Sequence, residues 1–363
     1  MIVRRSLRRR QVIPFFGKLE RCLVGMEACG TSHFWARELE ALGHEVRLMP
    51  PAYVKPYVKR GKTDAGDAEA IAEAVSRPTM RFVPAKSPEQ QSVLALHRTR
   101  DLLVRQRTQL VNMIRAQLAE FGIVLAKGVH HALKLVDRLL DGAVPDIPAL
   151  ARKIVISLAE QIRALQVRIG TFEEDMKTWF LGNELAKRLA TIPGIGFITA
   201  SALAASVTDP HRFGSARQFA ASLGLTPKAD SSGGRERMGR ISKMGDHYLR
   251  RLLVSGMTSQ LQSARRRPKA HPWVTGLLAS KPDKLVAVAM ANKADRQDAG
   301  AEARQGGLGP QAGRGHAPHV ARRQRVSLER RGLGRHPLSS AVEQRTDRKG
   351  MKPTGTRLGG LCP

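Results

Sequence analysis

The sequence predicts an α/β unit, then a largely helical body, then a tail without structure. Three observations carry this. Between residues 22 and 49, two short apolar runs flank a helical stretch. Between residues 93 and 172, two long series of apolar side chains recur at intervals of mostly three, four or seven. After residue 293 every such period stops.

Taken in order, Cys22-Leu23-Val24-Gly25-Met26 reads as a buried strand that ends at Glu27-Ala28-Cys29-Gly30. A helix is predicted over about 32–42, and Gly43 is a suitable stop for it. The run from Glu45 to Met49 reads as a second strand, broken by Pro50-Pro51. Strand, helix and strand within one short stretch is a βαβ signature. Thr63 suits the N-cap of a helix carrying Asp64, Asp67, Ile71 and Val75, which Pro78 ends. The two long series follow. They are Val93, Leu96, Leu103, Leu110, Ile114, Leu118 and Phe121, then Ile154, Leu158, Ile162, Leu165, Ile169 and Phe172. They fit long amphipathic helices packed as an antiparallel coiled-coil arm, and they fit a plain helical bundle as well. Residues 185–257 are punctuated by glycine, and residues 287–293 form a last helical run. The final 70 residues hold 12 glycines and no Phe, Trp or Tyr. Such a segment cannot bury a core, so disorder is expected.

The chain has 363 residues with 61 Lys+Arg and 31 Asp+Glu, a net charge of +30. A charge this large points to a polyanionic partner, most simply nucleic acid. Residues 294–363 carry +8 of it and the body +22, so the basic character is not confined to the tail. Hydrophobic residues make up 42%, enough for packed cores. No apolar run approaches the roughly 18–20 residues of a membrane-spanning helix. Three cysteines, Cys22, Cys29 and Cys362, form no disulfide framework, which fits a reducing cytoplasm.

Three features could carry chemistry. Glu27 lies at the C-terminal end of the first strand, the edge where functional groups gather in open α/β sheets. Asp64 and Asp67 are three apart on one helical face. Carboxylates converging from different elements could hold a divalent metal for phosphodiester chemistry. An acidic pair in a first turn is equally explained by the helix dipole. Next, Ile192-Pro193-Gly194-Ile195-Gly196 lies between two helices, where Gly194 and Gly196 could turn the backbone and present N–H groups to a DNA phosphate. Last, Ser231 and Ser232 precede Gly233-Gly234 and a comb of cations: Arg235, Arg237, Arg240 and Lys243, then Arg250 and Arg251. A serine there could attack a phosphodiester while the cations stabilise the developing charge. A phosphate-binding loop whose serines only hydrogen-bond would have the same composition.

Together these segments resemble the DEDD transposases of the insertion-sequence 110 family, in particular its 1111 subgroup. The matching text is Leu23-Val24-Gly25-Met26-Glu27-Ala28-Cys29, Val54-Lys55-Pro56-Tyr57-Val58-Lys59, Lys62-Thr63-Asp64-Ala65-Gly66-Asp67-Ala68-Glu69-Ala70 and Arg77-Pro78-Thr79-Met80-Arg81-Phe82-Val83-Pro84. It continues with Lys86-Ser87-Pro88-Glu89-Gln90-Gln91, Pro193-Gly194-Ile195-Gly196 and Gly239-Arg240-Ile241-Ser242-Lys243-Met244-Gly245, so the likeness spans residues 1–293. It implies a RuvC-like (ribonuclease-H-like) domain over residues 1–86, a helical coiled-coil arm over 87–182, a mostly helical transposase domain over 183–293 and a disordered basic tail over 294–363. Four acidic ligands hold metal in that family. Carried over, the second is Glu27 and the last two are Asp64 and Asp67. The family's nucleophilic serine falls on Ser232, with Ser231 as the alternate. The resemblance further implies Mg²⁺, DNA ends and target as substrates, a structured non-coding RNA that bridges donor and target, and a homo-oligomer.

The likeness departs at both ends. No Asp or Glu precedes Glu20, so the first acidic ligand and one or two strands of the RuvC-like domain are expected to be missing. The Gly- and Arg-rich tail reads as a change of reading frame. Two other functions fit such a chain: a non-catalytic nucleic-acid-binding remnant, and a metal-dependent nuclease of DNA junctions.

Overall fold

A computed structural model describes residues 5–59, 61, 63–142, 147–209, 213–305 and 358–361, with side chains up to residue 294. A short helix α1 (Val12–Phe16) precedes strand β1 (Leu23–Glu27), helix α2 (Ser32–Ala41) and strand β2 (Glu45–Met49). A four-residue helix α3 (Pro51–Val54) leads to α4 (Asp64–Val75). β1 and β2 pair in parallel, Leu23 beside Glu45 and Glu27 beside Met49, as the βαβ signature requires. Val24, Gly25 and Met26 are all buried, because helices cover both faces of β1. Trp35, Ala36 and Leu39 of α2 pack on one face with Val24 and Met26. On the other face Ala70, Ile71, Ala74 and Val75 of α4 pack with Leu23 and Met49. Gly25 lets α4 come close: a Cβ there would stand 3.1 Å from Ile71 Cγ2 and from Val75 Cβ.

The two long periodic series become α5 (Pro88–Ala119) and α7 (Ala149–Leu181), with α6 (Val129–Leu140) between them. Ser87 starts α5 with a reciprocal capping box to Gln90. The long helices run antiparallel. Near their base the Trp179 indole donates to Glu89, and Arg100 pairs with Glu173. Towards the far end Val111, Ile114 and Leu118 pack with Val155, Ala159 and Ile162. Ala132, Leu135, Val136 and Leu139 of α6 close that end. The sequence reading made no element of α6.

The remaining elements are α8 (Glu184–Leu189), α9 (Phe197–Ser206), α10 (Ala216–Ser222), strands β3 (Pro227–Ala229) and β4 (Met238–Ile241), α11 (His247–Arg266), α12 (Pro272–Leu278) and α13 (Asp283–Gln305). Their core joins Ala200 and Leu203 of α9, Leu249, Leu253 and Met257 of α11, and Val286, Ala287 and Ala291 of α13. Among the described residues no helix is long and apolar enough to cross a membrane.

The expectation of a structureless tail is corrected in two places. α13 continues to Gln305, and Leu358–Leu361 form strand β5, antiparallel to β1 with Leu23 beside Leu361. The sheet order is therefore β2-β1-β5. A strand edge carries unpaired N–H and C=O groups, and any extended segment can satisfy them. Backbone pairing needs no side-chain period, so the composition could not show it. Residues 306–357 and 362–363 lie outside the described residues.

Candidate functional site

Glu27 is the last residue of β1 and is partly buried. Side chains two apart on a strand share a face, so Glu27 shares the α4 side with Gly25. On α4, Asp67 stands one turn before Ile71, the residue packed over Gly25, and is only 6% exposed. Thr63 caps the helix by accepting from the Gly66 amide, and Asp64 is its exposed first residue. The α4 packing thus turns Glu27 and Asp67 towards a common interface and leaves Asp64 at the surface. Among the described residues no group of three or more His, Cys, Asp or Glu lies close enough to hold a metal ion. Glu27, Asp64 and Asp67 do not form such a group in this structure.

The serine segment is built differently from the loop the composition suggested. It is the end of a β-hairpin. β3 and β4 pair antiparallel, Ala229 beside Met238, and the Asp230 amide donates to the Arg237 carbonyl beyond them. The Arg235 amide then donates to the Ser232 carbonyl at 3.1 Å. Gly233 and Gly234 lie between at φ +57° and +74°. Two central residues of positive φ closed by that bond make a type I′ turn, whose twist matches that of paired strands. The two hydroxyls differ. Ser231 Oγ accepts from the Arg237 amide at 3.2 Å. Ser232, at the turn, is exposed, and its hydroxyl meets no donor or acceptor among the described residues.

The cations of the comb divide into two sets. Arg235, Arg237, Arg240 and Lys243 are exposed and face no carboxylate among the described residues. Arg250 and Arg251 serve the fold instead. Arg250 donates to the carbonyls of Leu223 and Met244 at 2.8 Å each, tying the base of the hairpin to the end of α10. Arg251 pairs with Asp101 of α5 and lies 5.3 Å from the Tyr248 ring centre.

Gly194 also carries a packing contact. It has φ +91°, and a Cβ on Gly256 of α11 would stand 2.0 Å from the Gly194 carbonyl oxygen. This glycine pair lets the loop touch α11, which is a packing role. Gly196 is the N-cap of α9 and faces open space, with no side-chain cap on the helix. At Gly196 a phosphate could approach the start of α9.

Sequence reasoning missed a polar node where α5 meets α9 and α11. His97 of α5 is 1% exposed. Its Nδ1 is 3.1 Å from the Tyr248 hydroxyl and its Nε2 is 3.1 Å from Ser201 Oγ. Ser201 in turn donates to the Phe197 carbonyl at 2.7 Å. Neutral imidazole completes that chain in one tautomer: Tyr248 donates to Nδ1, and Nε2–H donates to Ser201. Burial, and then the nearby Arg100 charge, push the His97 pKa from 6.5 to about 4. The signal was available: His97 stands one turn after Val93 on the apolar side of α5.

A profile described as the transposase IS116/IS110/IS902 family matches residues 186–271, and a second, a DEDD transposase profile of the IS110 type, matches residues 9–123. A putative transposase from Sinorhizobium fredii is 48% identical over 297 residues, covering 81% of this chain and 76% of its own. A probable family 20 transposase from Pseudomonas aeruginosa is 46% identical over 81% of this chain and 87% of its own. The transposase for insertion sequence element IS1111A of Coxiella burnetii is 37% identical over 81% of each.

Proposed function

The chain belongs to the IS116/IS110/IS902 family of transposases, and from that premise we propose that it is a site-directed DNA recombinase whose nucleophile is Ser232. The observation that carries the reading is the Ser232 hydroxyl, exposed at a type I′ turn, without a hydrogen bond among the described residues, and flanked by four exposed cations.

The hydroxyl oxygen attacks phosphorus. An Oγ–P bond forms as a P–O bond of the DNA backbone breaks, and the serine proton passes to solvent as the departing oxygen takes one up. The phosphodiester is exchanged rather than hydrolysed, so a hydroxyl of a second strand can attack the adduct and reseal. Arg235, Arg237, Arg240 and Lys243 would offset the extra negative charge that develops on the phosphoryl oxygens. Gly196, ahead of the uncapped N-terminus of α9, would contribute a backbone phosphate contact.

Glu27, Asp64 and Asp67 stay candidate ligands of a catalytic cation by family likeness, and Glu27 and Asp67 are the two that share an interface. A structured RNA and further copies of the chain, assembled through the helices α5 and α7, are the partners this reading requires.

The test is a covalent adduct. The wild-type chain incubated with element-end DNA, Mg²⁺ and its RNA should yield a protein–DNA species that survives denaturation. Ser232→Ala should abolish it and Ser231→Ala should retain it. The reverse pattern overturns the assignment. Salt-sensitive binding without any adduct makes the chain a non-catalytic binder.

A further inference from the structure

Beneath the hairpin lies an open groove of about 650 Å³. Met238 and Ile241 of β4 line it, with Trp273 of α12 and Leu285 of α13. Met238 is 65%, Leu285 51% and Trp273 42% exposed, so three large apolar side chains gather around one concavity and face water. The charged residues among its lining are Arg217 and Lys293, with no carboxylate. The Lys293 ammonium stands 4.3 Å from the Trp273 ring centre. From the groove, the unpaired cations of the hairpin lead on to Ser232.

These features select an occupant. An apolar protein segment would use the walls and leave the cations without purpose. An unstacked nucleotide uses both, since a base offers a flat face to an aromatic ring and its phosphates meet the rim cations. The volume falls in the range of about 300–1,000 Å³ typical of sites for ligands of that size. Met238 pairs with Ala229, three residues from Ser232 along the strand, which is about 10 Å at about 3.3 Å per residue. Stacked DNA advances about 3.4 Å per nucleotide on one strand, so about 10 Å spans about three nucleotides.

We infer that the groove holds an unstacked DNA base within about three nucleotides of the phosphodiester that Ser232 attacks. The inference rests on the reading of Ser232 as the nucleophile. It adds a recognition step: the strand is opened beside the reaction, and a base is held aside by Trp273 and Lys293.

The experiment uses the full chain and three fluorescent probes: a 12-nucleotide oligothymidylate, an oligouridylate of equal length and a blunt 24-base-pair duplex. Trp273→Ala should weaken oligothymidylate binding about tenfold, within the loss expected for one stacked base, and change duplex binding less than twofold. Met238→Glu, at a side chain too exposed to hold the fold together, should act in the same direction by placing a negative charge in the groove. A 5-iodouracil probe should cross-link to Trp273 on illumination. Equal losses for both DNA forms, or no loss, overturn the inference. Tighter binding of oligouridylate, lost in Trp273→Ala, assigns the groove to RNA and overturns it. A change of oligomeric state in Trp273→Ala assigns it to a protein contact and overturns it too. Oligonucleotide binding needs no strand transfer, so a chain that binds the single strand but forms no serine adduct overturns the nucleophile and leaves the groove standing. A chain that binds none of the probes overturns both.

Discussion

Ser231 and Ser232 are adjacent, chemically identical and equally favoured by composition, yet the hairpin treats them differently. Pairing across the strands engages Ser231 with the Arg237 amide, while the turn leaves Ser232 free among the described residues. His97 shows the same dependence on context. As a lone polar residue on an apolar helix side it could have been a ligand or a core group; its two neighbours, Tyr248 and Ser201, come from helices more than 100 residues away and make it a lock between α5, α9 and α11. Its depressed pKa has a consequence for stability. Between pH 6.5 and about 4 the unfolded chain binds a proton at His97 that the folded chain refuses. Stability is unaffected above that window and falls as pH drops through it, by roughly 3 kcal/mol in total at about 1.36 kcal/mol per pKa unit. His33, also lowered to about 4 by burial and by Lys86, Arg37 and Arg98, acts in the same direction. Urea midpoints at pH 7.5, 5.5 and 4.5 should therefore fall more steeply for the wild type than for His97→Gln. Parallel curves would show that the lock does not titrate.

At the scale of elements, glycines separate core from hairpin. Gly256→Ala would drive a methyl group into the Gly194 carbonyl at 2.0 Å. Overpacking of this kind costs about 1–3 kcal/mol, and each kcal/mol lowers Tm by about 2–4 °C in a domain of this size. Gly234→Ala meets no atom within 4 Å and suffers only its φ of +74°, a strain of roughly 1–2 kcal/mol confined to the turn. Calorimetry should show a clear loss of Tm for Gly256→Ala and little for Gly234→Ala, whereas adduct yield should fall in Gly234→Ala. Equal losses of Tm would mean that the hairpin and the core melt as one unit. The sequence held the sign of this hairpin, because two adjacent glycines between short strands are a type I′ signal. It was masked by density of charge: with Arg at 235, 237 and 240, the strand residues show no apolar alternation. The long helices were legible because a 3.6-residue period repeats over about eight turns in one and about five in the other. α6 was not, since its 12 residues offer little more than three.

For the whole molecule, the net charge of +30 is the property most visible in the sequence and the least specific. The structure sorts it. Arg250, Arg251, Arg100 and Arg163 are bound to carbonyls or carboxylates, and Arg9 lies over the Phe34 and Trp35 rings. Arg235, Arg237, Arg240 and Lys243 remain open to a phosphate backbone. DNA affinity should fall steeply with salt, and Arg237→Gln should make the slope of log K against log salt shallower by about 1. Arg251→Gln should leave the slope unchanged, because that charge already faces Asp101. A shallower slope for Arg251→Gln in a titration from low to moderate salt would show that this pairing opens on DNA.

The sequence by itself determined the family, the parallel βαβ unit, the long helices and the short list of chemically capable residues. Each of these rests on residue types and spacings that are local in the chain. Only the tertiary structure decided which members of that list are exposed, paired or buried. It separated Ser232 from Ser231, Arg237 from Arg251, and Asp64 from the interface shared by Glu27 and Asp67. Exposure, pairing and approach depend on segments distant in sequence, such as Asp101 against Arg251 or Gly194 against Gly256, and no local pattern encodes who the distant neighbour will be.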